Sequence, residues 1–262
     1  MNLERLCHDG VAAVKQATSL IRQQRESFSV EAVQRKGIRD LVSYVDIETE
    51  LLLVRELHRL LPEATFLTEE KTVLSEPSDL RWVIDPLDGT TNFVHGLPVF
   101  SISVALLQAN QLLLGIVHEV NRDECFYAWQ GGGAWCNGSR IHVSGCQHLR
   151  DALIATGFPY RNFDEAPQFF DALKFFFNNT HGVRRLGSAA VDLAYVACGR
   201  FDAFFEYHLN PWDVAGGALI VQEAGGRVSD FRGTSDFLWG KQILAATPAV
   251  YDDMLQAITR PL

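Results

Sequence analysis

Residues 81–106 read RWVIDPLDGTTNFVHGLPVFSISVAL. An apolar run, Trp82 to Ile84, ends in Asp85 and Asp88, and Gly89, Thr90 and Thr91 follow at once. The apolar run predicts a buried strand. A turn over "DPLDG" would then aim two carboxylates at one point. Pro86 restricts φ and donates no backbone hydrogen bond, and Gly89 permits an unusual dihedral or a close backbone approach. A helix starting at Thr90 or Thr91 would present unpaired amides, which form an anion site beside the two acids. Carboxylates there would repel a phosphate unless cations lie between. Hard divalent ions with oxygen ligands resolve that conflict, and Mg²⁺ binds through carboxylates together with substrate phosphate. Asp85 capping a turn and Asp88 capping a helix is the plainer alternative. The other acids shift the balance: Glu69 and Glu70 end "FLTEE", and Asp213 opens a helix in "NPWDVAGG".

Around this stretch the hydrophobic pattern changes type. Leu3, Leu6, Val14, Ala17, Leu20 and Ile21 follow helical spacing over 3–24, and "DLVSYVD" looks extended. A second helix is expected from Asp46, as N-cap, to a stop before Pro62. "FSISVALL", "LLLGIVHEV" and "CFYAWQ" read as antiparallel strands, with an Asn-Gly turn in "CNGSR". In the second half "ALIATGF", "RFDAFFEY", "GRVSDF" and "QILAAT" read as strands. Helices are expected from about Asp164 to Phe177, over "SAAVDLAYVACG", over "PWDVAGGALIVQEAGG" and from Pro248. The fold class is α+β, in layers, with no boundary sharp enough for independent domains.

The 262 residues suffice for a substantial core, and the net charge of −9 argues against direct nucleic-acid binding. The start, MNLERLCHDG, does not read as a signal peptide, and no stretch is long and apolar enough for a membrane span. Cys7, Cys125, Cys136, Cys146 and Cys198 lack metal-ligand spacing and read as reduced packing residues, which points to the cytoplasm.

On "WVIDPLDGTTNF", "PWDVAGGALIVQEAGG", "FLTEE", "RKGIRDLVSYVD" and "GSAAVDLAYVACGRFDAFFE", the chain resembles the inositol monophosphatase family, in its bacterial branch, over nearly its whole length. The resemblance implies a layered αβαβα sandwich of the inositol monophosphatase / fructose-1,6-bisphosphatase type. It implies one catalytic domain over 1–262, as two tightly packed halves dividing near 140–150. It implies a Mg²⁺-dependent phosphatase of inositol-1-phosphate, Li⁺-sensitive and homodimeric. By position, Glu69, Asp85, the Leu87 carbonyl, Asp88 and Asp213 would be metal ligands, with Asp85 bridging two ions. Thr90 would orient the attacking water with Glu69 as base, Asp88 completing the catalytic set. The Gly89 and Thr90 amides would hold phosphate, while Gly187, Ser188, Ala189, Glu206 and Asp213 would face the polyol. Lys36 and Asp46 would be outer members of the pocket.

Fructose-1,6-bisphosphate, histidinol phosphate and 3′-phosphonucleotides are substrates of similar proteins; Thr91 and Asn92 after "DGT" resemble the inositol-type branch. A different class of role is also implied, since similar bacterial proteins act in ribosomal RNA transcription and maturation by docking to a transcription factor. Among other tempting residues, His95 reads as structural, and Arg184 and Arg185 as solvated charge or a binding pair. Trp212 is expected to fix the rotamer of Asp213, and "FFF" at 175–177 to be a buried helix face.

Overall fold

The large sheet is built from strands whose alternate residues face two different cores. In a computed structural model, the structure describes residues 1–26, 28, 34–37, 40–42, 44–74, 76, 78–158 and 166–259, with the backbone alone over 34–37 and 40–42. Seven strands follow one another in space as in sequence: β3 (Thr65–Thr68), β4 (Leu80–Asp88), β5 (Ser101–Gln108), β6 (Gln111–Glu119), β7 (Glu124–Trp129), β8 (Gly133–Cys136) and β9 (Ser139–Ile141). Only β3 and β4 pair in parallel; the rest form an antiparallel meander. Before it stand β1 (Gln34–Gly37) and β2 (Asp40–Val42), a small hairpin.

Trp82, Ile84, Ile102, Val104, Leu106, Leu114 and Ile116 point to one side of this sheet. There they pack on α1 (Leu3–Glu26) and α2 (Tyr44–Leu60) through Val14, Ala17, Ile21, Leu53 and Leu57. Each such fully buried large side chain contributes about 1.5–3 kcal/mol. Val83, Ala105, Leu107 and Val117 point the other way, onto α5 (Ala189–Ala197) and α6 (Pro211–Glu223). Beyond these two helices lies a five-stranded sheet in the order β11 (Gly182–Arg184), β10 (Leu153–Thr156), β12 (Ala203–Tyr207), β14 (Gln242–Ala246), β13 (Arg227–Ser229). Phe204, Ile243 and Ala245 face α5 and α6. On its outer face Phe205 and Leu244 meet α4 (Ala166–Asn179) and α7 (Pro248–Ile258) through Phe169, Phe176, Tyr251 and Met254. The layers therefore run αβαβα.

The buried middle layer requires small residues. A Cβ on Gly115 of β6 would stand 2.4 Å from the Gly216 carbonyl of α6, and one on Gly217 would stand 2.6 Å from Leu193 of α5. Glycine at these positions lets α6 lie directly on the large sheet, which brings the start of α6 to the end of β4.

Several expectations are corrected. "DPLD" is not a turn: β4 continues through Pro86 to Asp88. Asp46 is not an N-cap, because α2 begins at Tyr44 and Asp46 lies buried in its first turn. The extended reading of "DLVSYVD" therefore holds only for Asp40–Val42. The third long helix, α4, runs Ala166–Asn179, with Asp164 outside the described residues. Of the three consecutive phenylalanines only Phe176 is fully buried, while Phe177 is exposed.

Candidate active site

A one-residue bulge sets the site. Asp85 pairs with Ser103 and Asp88 with Ser101, so β4 places Pro86 and Leu87 opposite the lone Ile102. In a regular strand, residues three apart point to opposite faces. The extra residue restores the parity, and both aspartates face the α5–α6 layer, as do Ser101 and Ser103. Proline is tolerated at a bulge because no ladder donor is required there. The Leu87 amide donates to Asp85 Oδ1 at 2.9 Å, and the Leu87 carbonyl accepts the Thr90 hydroxyl at 3.0 Å.

The next residue turns the chain. Gly89 has φ 97°, in the left-handed region, and begins the short helix α3 (Thr90–Val94). A Cβ there would meet the Val99 and Gly187 carbonyls at 3.1 and 3.2 Å, so glycine is required for both conformation and space. Asn92 donates through Nδ2 to the Val99 and Leu186 carbonyls, which ties α3 to the segment before Gly187.

Two acids arrive from other elements. Glu69 follows β3; its amide donates to the Ile84 carbonyl at 3.2 Å, continuing the parallel pairing, and its carboxyl lies near enough to Asp85 to raise that group's pKa. Asp213 sits in the first turn of α6, where its Oδ2 accepts the Asn210 amide at 2.6 Å, and its charge reaches Asp85. Asn210 holds Asp213 through its amide, while Trp212 packs on the middle core and offers its carbonyl to the Ser103 hydroxyl. Asp88 Oδ2 accepts the Ser188 hydroxyl and the Ala190 amide, each at 2.7 Å. Ser188 is thus a buried N-cap of α5 turned toward Asp88, so Gly187–Ala189 can meet a ligand only through main chain and Ala189.

Burial raises the Asp85 pKa well above the usual range, and Glu69, Asp88 and Asp213 add to the shift by repulsion. Burial pushes Asp88 up to about 6, against the opposing Ser188 hydroxyl, the Ala190 and Ala189 amides and the Arg185 charge. Asp213 rises to about 7 through burial and then Asp88. Glu206 on β12 is raised by burial, then by Asp213 and Asp88, with Arg185 opposing. Its carboxyl lies against Gly157, where a Cβ would come within about 2 Å of it. Carboxylates that raise one another's pKa form a set that a dication would neutralise. The donors are all oxygen, which suits Mg²⁺, Mn²⁺ or Ca²⁺ over softer ions. No group of three or more His, Cys, Asp or Glu side chains among the described residues has the spacing of a finished metal site. Asp88 and Asp213 each commit an oxygen to a main-chain amide.

Asp46 Oδ1 stands 3.0 Å from the Thr90 hydroxyl, so α2 reaches the end of β4. The Lys36 side chain lies outside the described residues. His95 is exposed at the end of α3.

Sequence reasoning underrated Arg185. Its guanidinium lies over Gly187, where a Cβ would meet Nη1 at 2.5 Å, and its charge reaches Asp88, Asp192 and Glu206. The consecutive pair Arg184–Arg185, separated from Gly187 by Leu186 alone, was the available signal. Asp192, fully buried on α5 and raised by burial and Glu206, had none, because it reads as part of an ordinary small-residue helix. An open cleft of about 400 Å³, lined by His148, Arg150, Phe175, Asn179 and Asp253, lies elsewhere, and the converging acids do not line it.

The profile of the inositol monophosphatase family matches residues 2–261. The inositol-1-monophosphatase of Mesorhizobium japonicum is 41% identical over 252 residues, spanning 96% of this chain and 94% of that protein. Nus factor SuhB of Pseudomonas aeruginosa is 41% identical over 251 residues, spanning 94% and 93%. The crystal structure of extragenic suppressor protein SuhB from Bartonella henselae superposes with a TM-score of 0.91 at 36% identity, covering 97% of this chain and 98% of that one.

Proposed function

Because the chain belongs to the inositol monophosphatase family, we propose that it is a Mg²⁺-dependent phosphomonoesterase that hydrolyses inositol-1-phosphate to inositol and phosphate. The bulge that turns Asp85 and Asp88 to one face, where Glu69 and Asp213 join them, carries the reading. Glu69, Asp85, the Leu87 carbonyl, Asp88 and Asp213 would hold Mg²⁺. Bound there, Mg²⁺ supplies Lewis acidity, making hydroxide accessible near neutral pH and offsetting charge on the departing oxygen.

The chain's own groups do the rest by position and charge. Asp46 accepts the Thr90 hydroxyl proton and so leaves Thr90 oxygen lone pairs to orient the attacking water. Glu69 takes the proton from that water. The Gly89 and Thr90 amides hold phosphoryl oxygens, and Glu206 with the Gly187–Ala189 main chain faces the polyol. Arg185 offsets the acids at the same wall.

A phosphate-release panel tests the assignment: inositol-1-phosphate, glycerol-2-phosphate, fructose-1,6-bisphosphate, histidinol phosphate and a 3′-phosphonucleotide, with and without Mg²⁺. Turnover of inositol-1-phosphate that needs Mg²⁺, is inhibited by Li⁺ and is lost in Asp85→Asn is expected. Preference for another of these esters replaces the substrate, and full activity of Asp85→Asn removes the mechanism.

A second reading rests on the relatives named Nus factor: the chain docks to a transcription factor. Growth rescue by Asp88→Asn equal to wild type would favour it. Five free thiols and the lack, among the described residues, of a helix able to cross a membrane support a cytoplasmic reading. Phe170 and Phe177, exposed on α4 and seven residues apart, support a homodimer, which light scattering tests.

A further inference from the structure

Glu50 is a fully buried carboxylate that the proposed chemistry leaves unused. It lies on α2, one turn after Asp46 and on the same face, since residues four apart are neighbours on a helix. Its Oε2 accepts the Glu70 amide at 2.8 Å, and its Oε1 accepts the Thr72 amide at 2.8 Å and the Thr72 hydroxyl at 2.7 Å. A charge buried without such donors would be strongly destabilising. Three short charge-assisted bonds, all from one loop, compensate it and hold that loop in place.

The loop so held begins at Glu69. On one side the Glu69 amide is fixed to the Ile84 carbonyl, one residue before Asp85. On the other, the very next amide is fixed to Glu50. Between the two anchored residues Lys71 has φ 55°, a left-handed conformation uncommon for a non-glycine residue, so the turn is held by its contacts. One face of α2 thus reaches two parts of the site, Asp46 toward Thr90 and Glu50 toward the segment that carries Glu69.

We propose that Glu50 is a positioning residue that holds the Glu69–Thr72 loop so that the Glu69 carboxyl faces Asp85; this rests on the reading of Glu69 as a metal ligand. Glutamine at position 50 would keep the volume. It would replace one acceptor with an amide donor facing the Glu70 or Thr72 N–H.

The test compares Glu50→Gln with Glu119→Gln. Glu119 is an equally buried carboxylate, which accepts the Asn121 and Arg122 amides outside the site. Hydrogen exchange is followed at the Glu70 and Thr72 amides in the metal-free proteins, and Mg²⁺ affinity by calorimetry. Glu50→Gln is expected to speed exchange at both amides and to weaken Mg²⁺ binding by about tenfold, the lower end of the effect of removing a support behind a ligand. KM for the ester at saturating Mg²⁺ stays unchanged. Glu119→Gln lowers Tm but moves neither readout. If Glu50→Gln does not fold, Thr72→Val, which deletes one of the three donors, is expected to shift both readouts the same way by less. Unaltered Mg²⁺ affinity in the folded Glu50 variant, or in Thr72→Val where that variant is used, overturns the proposal. No Mg²⁺ binding by the wild type overturns the functional reading itself.

Discussion

The Ser188 hydroxyl donates to Asp88 Oδ2 at 2.7 Å across one hundred residues of chain, joining the start of α5 to the end of β4. The same oxygen accepts the Val191 amide, so one side chain both caps a helix and orients an acid. Ser188→Ala is expected to cost about 1 kcal/mol of stability through the lost cap. It should also lower kcat by about tenfold, because a hydrogen bond to a charged group is worth roughly 1.5–3 kcal/mol. Urea unfolding and steady-state kinetics read the two effects separately; stability loss with unchanged kcat would reduce Ser188 to a cap.

Thr90 has one hydroxyl proton and two acceptors at 3.0 Å, Asp46 Oδ1 and the Leu87 carbonyl. Thr90→Ala should lower kcat by about 100-fold, the lower range for a positioned proton-handling group, with KM little changed. Asp46→Asn should fall in the same direction by less. A raised KM at constant kcat in either variant would mean that the pair serves ground-state binding instead.

The close contact of β6 and α6 ties stability to the site. Gly115→Ala sets a methyl group 2.4 Å from the Gly216 carbonyl, a backbone atom that cannot swing aside. Overpacking of this kind costs about 1–3 kcal/mol. Displacement of α6 also moves Asp213, so the variant should lose Mg²⁺-dependent activity at temperatures where it is still folded. Full activity with only a lowered Tm would show that α6 shifts without moving Asp213.

His118 provides a pH dependence away from the acids. Burial lowers its pKa from the usual 6.5 to about 4, Asp123 opposing and Arg22 assisting. The 3.2 Å contact of its Nε2 with Asp123 is therefore a hydrogen bond of a neutral ring at pH 7, not an ion pair. Between these two pKa values the unfolded chain binds the proton and the folded chain does not, so stability rises with pH there. This contribution is complete above about pH 6.5 and falls by about 3 kcal/mol as the pH drops to 4. In His118→Gln, urea midpoints should show a shallower acid limb across that window. Parallel limbs for the two proteins would contradict the assignment.

The periodic parts of the chain were readable before the structure. Short apolar runs separated by polar turn residues gave β5, β6 and β7, and Asn137–Gly138, both with positive φ, made the β8–β9 turn as its dipeptide signals. Features that depend on partners distant in sequence were not readable. The bulge at Asp85–Asp88 exists only against Ser101 and Ser103 of the neighbouring strand, so "DPLD" alone reads as a turn. Asp46 looks like a cap because nothing local reports that α2 starts earlier and that Thr90 is its partner. Glu50 carries no pattern of its own, and the Arg184–Arg185 pair reads equally as solvated charge; the first matters through a loop twenty residues away and Arg185 through the acids it faces.

The central claim is that Asp85 and Asp88, with Glu69 and Asp213, share divalent metal. A crystal soaked in Mn²⁺, standing in for Mg²⁺, and imaged at the Mn²⁺ absorption edge tests it most directly. Anomalous density at about 2.1–2.2 Å from an Asp85 oxygen, with Glu69 or Asp213 completing the contact, is the predicted result. Density elsewhere in the molecule, or none at saturating Mn²⁺, would contradict the account.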